Sequence, residues 1–381
     1  MKKILVLLFI AASCTAGRKG RAFDRKTLDT LTAPYFWGRG YTKDGMQKAA
    51  GFLANEFKSY GLEAMTDNYM QHFSYPVNTF PGKMQVNING KDLVPGEDFI
   101  VSPESRGVKA EGELEMQDGN QFVNRKDMVL IKMQDKLTWD VAKSVANYSL
   151  ILVDKKALPK IPVSFKVDIE NELVKDFKAE NICGMVKGTV KPDSFIFITA
   201  HYDHLGGMGA DTYFPGANDN ASGVSLLLKL AHYYVKHPQK YSIAFICFAG
   251  EEAGLIGSKY FTENPLVPLK HIRFLINTDL AGTGEEGITV VNATEFPKEF
   301  AMMNAVNDKS KLLVKINSRG KAANSDHYFF TEKGVPSFFF YTLGGIKAYH
   351  DVFDKAATLP MNNQENLFKL IVGFNKKLMG N

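Results

Sequence analysis

From about residue 181 onward, apolar stretches of strand length alternate with stretches carrying helical apolar spacing. This alternation limits the fold more than any other feature of the chain. "NICGMVKGTV" and "SFIFITAH" flank a "KPD" turn. The next stretch, "ASGVSLLLKLAHYYVKH", places Val224, Leu227, Leu228, Ala231 and Val235 on one helical face. Then follow the strand "SIAFICFAG", the helix "GLIGSKYFTE", the strand "HIRFLINTDL", the helix "EFPKEFAMMNAV" and the strand "SFFFYT". Strands apolar at nearly every position, separated by helices, predict a mostly parallel sheet covered on both faces.

The strand ends carry the chemistry. "FIFITA" ends at His201 and Asp203, and the glycine-rich "PGANDNASG" holds Asp219 before a helix. "IAFICFAG" ends at Glu251 and Glu252, and "FLIN" ends at Asp279. His350 follows the last strand in "YTLGGIKAYHDVFD". In open α/β sheets the ligand crevice lies beyond the carboxyl ends of the strands, so these residues are expected at one rim. Each signal has an ordinary reading alone: an HxD in a surface turn, an Asp starting a helix, a solvated Glu pair. Their joint placement, each after a separate strand, does not.

Two imidazoles with three carboxylates make a nitrogen/oxygen shell suited to zinc, with cobalt or manganese as other occupants. Five such groups around one ion would leave little room for substrate. If one carboxylate bridges, the same five hold two ions, which can activate a shared water. One of the Glu251–Glu252 pair is then free to take its proton.

The N-terminal part differs. "TKDGMQKAAGFLANEFKSYGL" predicts a helix with Met46, Ala49, Ala50, Leu53 and Phe57 inward and Gly61 as its stop. "EAMTDNYMQHFSYP" reads as a strand. From 78 to 180, short extended pieces such as "KMQVNING", "DMVLIKM" and "LILVD" lie among turns, with one helix expected at "TWDVAKSVANYS". This reads as an inserted α+β module, dividing the catalytic part into 24–77 and 181–381.

Residues 1–13 read as an export signal: the charged "MKK", then an apolar run too short to span a bilayer. The segment resembles a bacterial lipoprotein signal with Cys14 as the lipid-modified residue. That implies an envelope location, facing the periplasm or the cell surface, with a lipid chain at Cys14 as the only membrane contact. Cys183 and Cys247 lie in apolar stretches and are expected buried and free. The formal net charge of +5 includes Lys2 and Lys3. That is too mild, and too scattered, to argue for nucleic acid. There is no HExxH, no G-x-S-x-G and no P-loop.

"AHYDHLG", "GANDNASG", "FAGEEAGLIGSKYF", "NTDLAG" and "YH" together resemble the co-catalytic zinc aminopeptidases, the family of secreted bacterial leucyl aminopeptidases and glutamate carboxypeptidase. The resemblance covers about 24–75 and 181–381. It implies a three-layer phosphorylase/hydrolase-like fold with a mixed, mostly parallel sheet. It also implies a hydrolase that takes peptide substrates and holds two zinc ions per chain. Carried over by position, His201, Asp219 and Asp279 would hold one zinc; Asp219, Glu252 and His350 would hold the other. Glu251 matches the general base. Asp203 matches the carboxylate that orients a ligand histidine. His204 receives no role, and "SDHYFF", with Asp326 and His327, matches another stretch common in the family and is assigned to packing and to hydrogen bonds that support the ligands. The insert is faintly similar to a protease-associated domain. A glutaminyl cyclase with a single zinc, also similar to this family, is the alternative activity. A binding protein that has lost catalysis would be expected to lack ligands, and this chain has all five.

Overall fold

Four parallel strands occupy the middle of a nine-stranded sheet, neighbouring one another in the order Tyr241–Phe248, Lys191–His201, Ile272–Thr278 and Ser337–Thr342. The computed structural model describes residues 22–380. The signal expected over 1–13 and the anchor at Cys14 lie outside the described residues. On one flank the long strand Glu172–Val186 runs antiparallel to Tyr241–Phe248 and pairs outward with Met70–Thr79 and Glu63–Ala64. On the other flank Ile288–Val291 runs antiparallel to Ser337–Thr342, with Ile316–Ser318 beyond it.

Alternate residues of each central strand face opposite layers, as the strand period requires. Ile196, Ile198 and Ala200 join a core with the helices Gly45–Tyr60, Gly223–Lys236 and Gln364–Leu378. Phe195 and Phe197 point the other way, onto Phe261 and Phe330 of the helices Ile256–Glu263 and His327–Glu332. The result is three layers with a mixed, mostly parallel sheet, as the resemblance implied. Met46, Ala49, Ala50, Leu53 and Phe57 are all buried, and Gly61 ends its helix at φ 86°, where its N–H donates to Lys58 O at 3.1 Å. Cys183 and Cys247 are buried and free. Among the described residues no helix is long and apolar enough to cross a membrane.

The insert differs from expectation in one respect. Its strands form two small sheets. One runs Lys91–Asp92, Met84–Ile88, Ser164–Ile169, Val108–Glu113; the other runs Phe99–Val101, Ser149–Asp154, Val129–Gln134, Gln121–Asn124, Glu115–Asp118. No helix lies between Tyr69 and Ala217, so the module is all-β rather than α+β. The "TWDVAKSVANYS" stretch is irregular because its backbone groups bond to distant chain instead of to each other. Trp139 N donates to His350 O, Asn78 N to Ala142 O, and Ala146 N to Glu104 O, at 2.8, 2.8 and 2.7 Å. Buried Trp139 anchors it, donating Nε1–H to Val101 O at 2.7 Å and stacking on Phe214 at 4.7 Å. The stretch is thus the crossover that a parallel pair, here Val129–Gln134 beside Ser149–Asp154, must have.

Candidate metal centre

The sheet register brings the sequence-distant residues to one rim. His201 ends its strand beside Phe248, three residues before Glu251, and Asp279 follows Thr278, the partner of Phe340. His201 is buried. Its Nε2 lies 3.2 Å from Asp219 Oδ1 and 3.3 Å from Asp279 Oδ1. The second oxygen of Asp219 faces the opposite way: His350 Nε2 lies 3.2 Å from Asp219 Oδ2 and 3.1 Å from Glu252 Oε2. Asp219 therefore stands between two donor sets, one oxygen toward each.

Both histidines are turned the same way. His201 Nδ1 bonds the backbone O of Asp203 at 3.2 Å, and His350 Nδ1 bonds Trp139 O at 2.8 Å. A carbonyl can only accept, so each Nδ1 carries a proton, and in the neutral ring Nε2 is the nitrogen whose lone pair faces the cluster. His201 Nε2 and Asp279 Oδ1 have no hydrogen-bond partner although both are buried. Buried polar atoms are normally satisfied. Unpartnered atoms on two side chains, with Asp219 Oδ1 beside His201 Nε2, fit a cation held among the three, and the nitrogen/oxygen set fits zinc.

Charge points the same way. Asp203, Asp219, Glu252 and Asp279 are buried and Glu251 nearly so, with imidazoles as the main facing groups. Burial pushes the Asp279 carboxyl up; at Asp219 and Glu252 the facing histidines outweigh burial, holding Asp219 well below the ordinary range and Glu252 at about 2. Burial lowers His350, but Glu252 and Asp219 drive it up to about 12. A cluster this acidic calls for positive charge at its centre.

Glu251 lines a cavity of about 220 Å³ with Asp219, Glu252, Asp279 and His350 on the same wall. Burial first, and then Glu252 and Asp326, push its carboxyl well above the ordinary range. Asp203 acts somewhat differently from expectation. Its carboxylate accepts the backbone N–H of Glu251 at 3.2 Å and of Glu252 at 3.3 Å, while its nearest oxygen to His201 Nδ1 is the backbone carbonyl. It thus fixes the turn that presents both glutamates.

Several supporting residues escaped the sequence reading. His204, given no role, is fully buried and donates Nδ1–H to Glu252 Oε1 at 2.7 Å. Asp354 accepts from the backbone N–H of Asn218 and of Asp219, at 2.8 and 3.0 Å. Arg39, fully buried, donates to five carbonyls: Leu31, Tyr202, Pro215, Gly216 and Asp219. Ser325, of the "SDHYFF" stretch, donates to Asp279 Oδ2 at 3.4 Å and accepts from Asn277 at 2.8 Å. Its neighbour Asp326 is buried, with both carboxylate oxygens unpartnered and its pKa pushed up to about 7 by burial. The proximity of His204 to the HxD pair was a usable signal; nothing local marked Arg39.

Fold and centre together define an α/β protein with donor sets for two cations at the carboxyl edge of its sheet. Residues 181–374, half of the chain, match Peptidase family M28, and the chain belongs to that family. Aminopeptidase YwaD of Bacillus subtilis is 31% identical over 163 residues, which are 42% of this chain and 34% of that protein. A probable leucine aminopeptidase of Arthroderma otae is 29% identical over 211 residues, 52% of this chain and 57% of that one. The chain thus aligns with about a third to a little over half of these relatives' length. Among solved structures, BSAP, a zinc aminopeptidase from Bacillus subtilis, superposes with a TM-score of 0.71 at 18% identity, covering 93% of this chain and 94% of that one. A peptidase M28 precursor from Shewanella amazonensis gives 0.71 at 14% identity, covering 97% and 96%. At such identities the likeness is one of fold.

Proposed function

We propose that the chain is a zinc-dependent aminopeptidase, removing the N-terminal residue of peptides. One observation carries the reading: the two carboxylate oxygens of Asp219 face His201 Nε2 and His350 Nε2 on opposite sides. His201, Asp219 and Asp279 would hold one zinc; Asp219, Glu252 and His350 would hold the other. When bound, zinc supplies a Lewis acid for the scissile carbonyl and acidifies water.

The chain's own groups do the rest. Glu251, raised by burial and steadied through Asp203, takes the proton of the attacking water and passes it to the leaving nitrogen. His201 and His350, donating Nδ1–H to carbonyls, are aimed so that Nε2 is the nitrogen each neutral ring turns to the metal. The acidic wall offers a place for the positive α-amine of the substrate.

The test is Glu251→Ala, assayed on aminoacyl p-nitroanilides alongside metal analysis. Turnover should collapse while about two zinc ions per chain remain. Near-normal turnover would overturn the role of Glu251. One zinc per chain with pyroglutamate release would establish the cyclase instead.

Export and lipid attachment at Cys14 are also part of the proposal, resting on Lys2, Lys3 and the apolar run that follows. Cys14→Ala should release the protein from the membrane fraction; unchanged fractionation would refute the anchor.

A further inference from the structure

The lining of the cavity that holds the acidic cluster also includes an exposed cationic side chain, Arg319, together with Asn324, Phe339, Tyr341 and Tyr349. Its backbone is tied down: Arg319 N donates to Val290 O at 2.9 Å and Ala293 N to Arg319 O at 3.0 Å. Its guanidinium donates Nη1–H to Tyr341 Oη at 3.2 Å. A guanidinium has five N–H donors in a rigid fork that matches a carboxylate. Among the described residues, no carboxylate lies within ion-pair distance of Arg319, although the acidic groups Asp219, Glu251, Glu252 and Asp279 line the same cavity.

That last fact decides between two uses of the charge. Were Arg319 there to neutralise the acidic wall, it would reach across to Glu251 or Asp279. It is instead held on Tyr341, with its remaining donors uncommitted. The cavity therefore offers carboxylates for an amine and, apart from them, a guanidinium for an anion.

We infer that Arg319 recognises a carboxylate on the substrate, making it a specificity-determining residue of the reaction proposed above, on which this inference rests. The carboxylate has two sources: the side chain of an acidic N-terminal residue, or the free α-carboxylate of a dipeptide. Either meets the fork in the same way, with Asn324 of the same cavity lining as a further donor.

Pairs of substrates that differ only in this charge test the inference. Glutamyl and glutaminyl p-nitroanilides probe the side-chain source; Leu-Gly and Leu-glycinamide probe the terminal source. With zinc-loaded protein, kcat/KM should favour the carboxylate member of one pair by about tenfold or more, the scale of a charged hydrogen bond. Arg319→Met should erase that ratio mainly through KM, and Arg319→Lys should restore part of it. A preference for the neutral member in both pairs, or a ratio untouched by Arg319→Met, would overturn the inference. Calorimetric binding of L-glutamate against L-glutamine, and of Leu-Gly against Leu-glycinamide, provides a readout independent of turnover. If no substrate is hydrolysed, the aminopeptidase reading fails. Carboxylate-selective binding that Arg319→Met removes would still uphold the recognition role, and its absence would end it.

Discussion

Trp139 and His350 hold each other through two backbone-directed bonds: Trp139 N donates to His350 O at 2.8 Å, and His350 Nδ1 donates to Trp139 O at 2.8 Å. One residue belongs to the insert and the other to the proposed metal centre. The insert is thus more than a cover over the site, since it sets the tautomer and aim of a candidate ligand. Trp139→Ala removes the stack on Phe214 and the bond to Val101, freeing the segment that carries this carbonyl. Zinc affinity should fall about 10- to 100-fold, the usual cost of losing an outer support of a ligand. Equilibrium dialysis against a zinc buffer measures it, and unchanged affinity would show that His350 needs no such support.

His204 stands in the same relation to Glu252 as Trp139 does to His350. With Oε1 occupied by the 2.7 Å bond from His204, only Oε2 is left to face His350. His204→Ala should lower kcat/KM by about 10- to 100-fold and weaken zinc retention. His204→Asn, which keeps a donor near the Nδ1 position, should recover part of both. If Asn proves no better than Ala, the hydrogen bond is not what His204 provides.

Arg39 makes a prediction about stability. Its five carbonyl acceptors lie in three separate segments, and three of them, Pro215, Gly216 and Asp219, belong to the loop that carries the Asp219 carboxylate. Arg39→Met leaves all five acceptors without this donor, and each buried unsatisfied group costs about 1–3 kcal/mol. Relaxation recovers some of that, so a loss of at least about 3 kcal/mol is expected. Urea unfolding measures it. A smaller loss would mean that the loop is held by Asp354 and its own side chains.

Much of the centre was legible because its donors come from strand ends. An apolar strand stopping at His201, Glu251 or Asp279 announces both the sheet and the direction in which the side chain emerges. The supports were less visible, for identifiable reasons. Arg39 acts through carbonyls, and any residue supplies a carbonyl, so no spacing reveals it. His204 sits one residue beyond the HxD pair, where turn geometry rather than strand alternation decides its aim. In the insert, "TWDVAKSVANYS" has helical composition, but Trp139 finds a better place against Phe214 and Val101, and tertiary bonds displace local ones. The strand Ile288–Val291 and the helix Gln364–Leu378 were not read from the sequence. Both lie away from the acidic motifs that directed attention along the chain.

Acidification should release the metal. His201 and His350 must be neutral to bind metal, and metal binding expels their protons. Zinc content and activity should therefore decline together as pH falls, because the facing carboxylates favour the protonated rings and protons compete with zinc for both Nε2 atoms. Dialysis at stepped pH followed by metal analysis and assay checks this; full activity at pH 4 with retained zinc would contradict it.

His327 separates the fold's own acid sensitivity from metal loss. It is buried against Phe339, and burial lowers its pKa to about 4. In the unfolded chain the imidazole titrates near 6.5. Above pH 6.5 it is neutral in both states and costs nothing. Between 6.5 and 4 the unfolded chain takes up the proton while the folded one does not, so stability falls as pH falls. The loss approaches about 3 kcal/mol once pH drops below the folded value. His327→Leu removes the titrating group while keeping an apolar side chain of similar bulk beside Phe339. Urea unfolding of metal-free wild type and variant, at steps from pH 7 to pH 4, should show a shallower decline in the variant, whatever its stability at pH 7. Parallel declines would mean that His327 is protonated equally in both states, and that the acid sensitivity resides elsewhere.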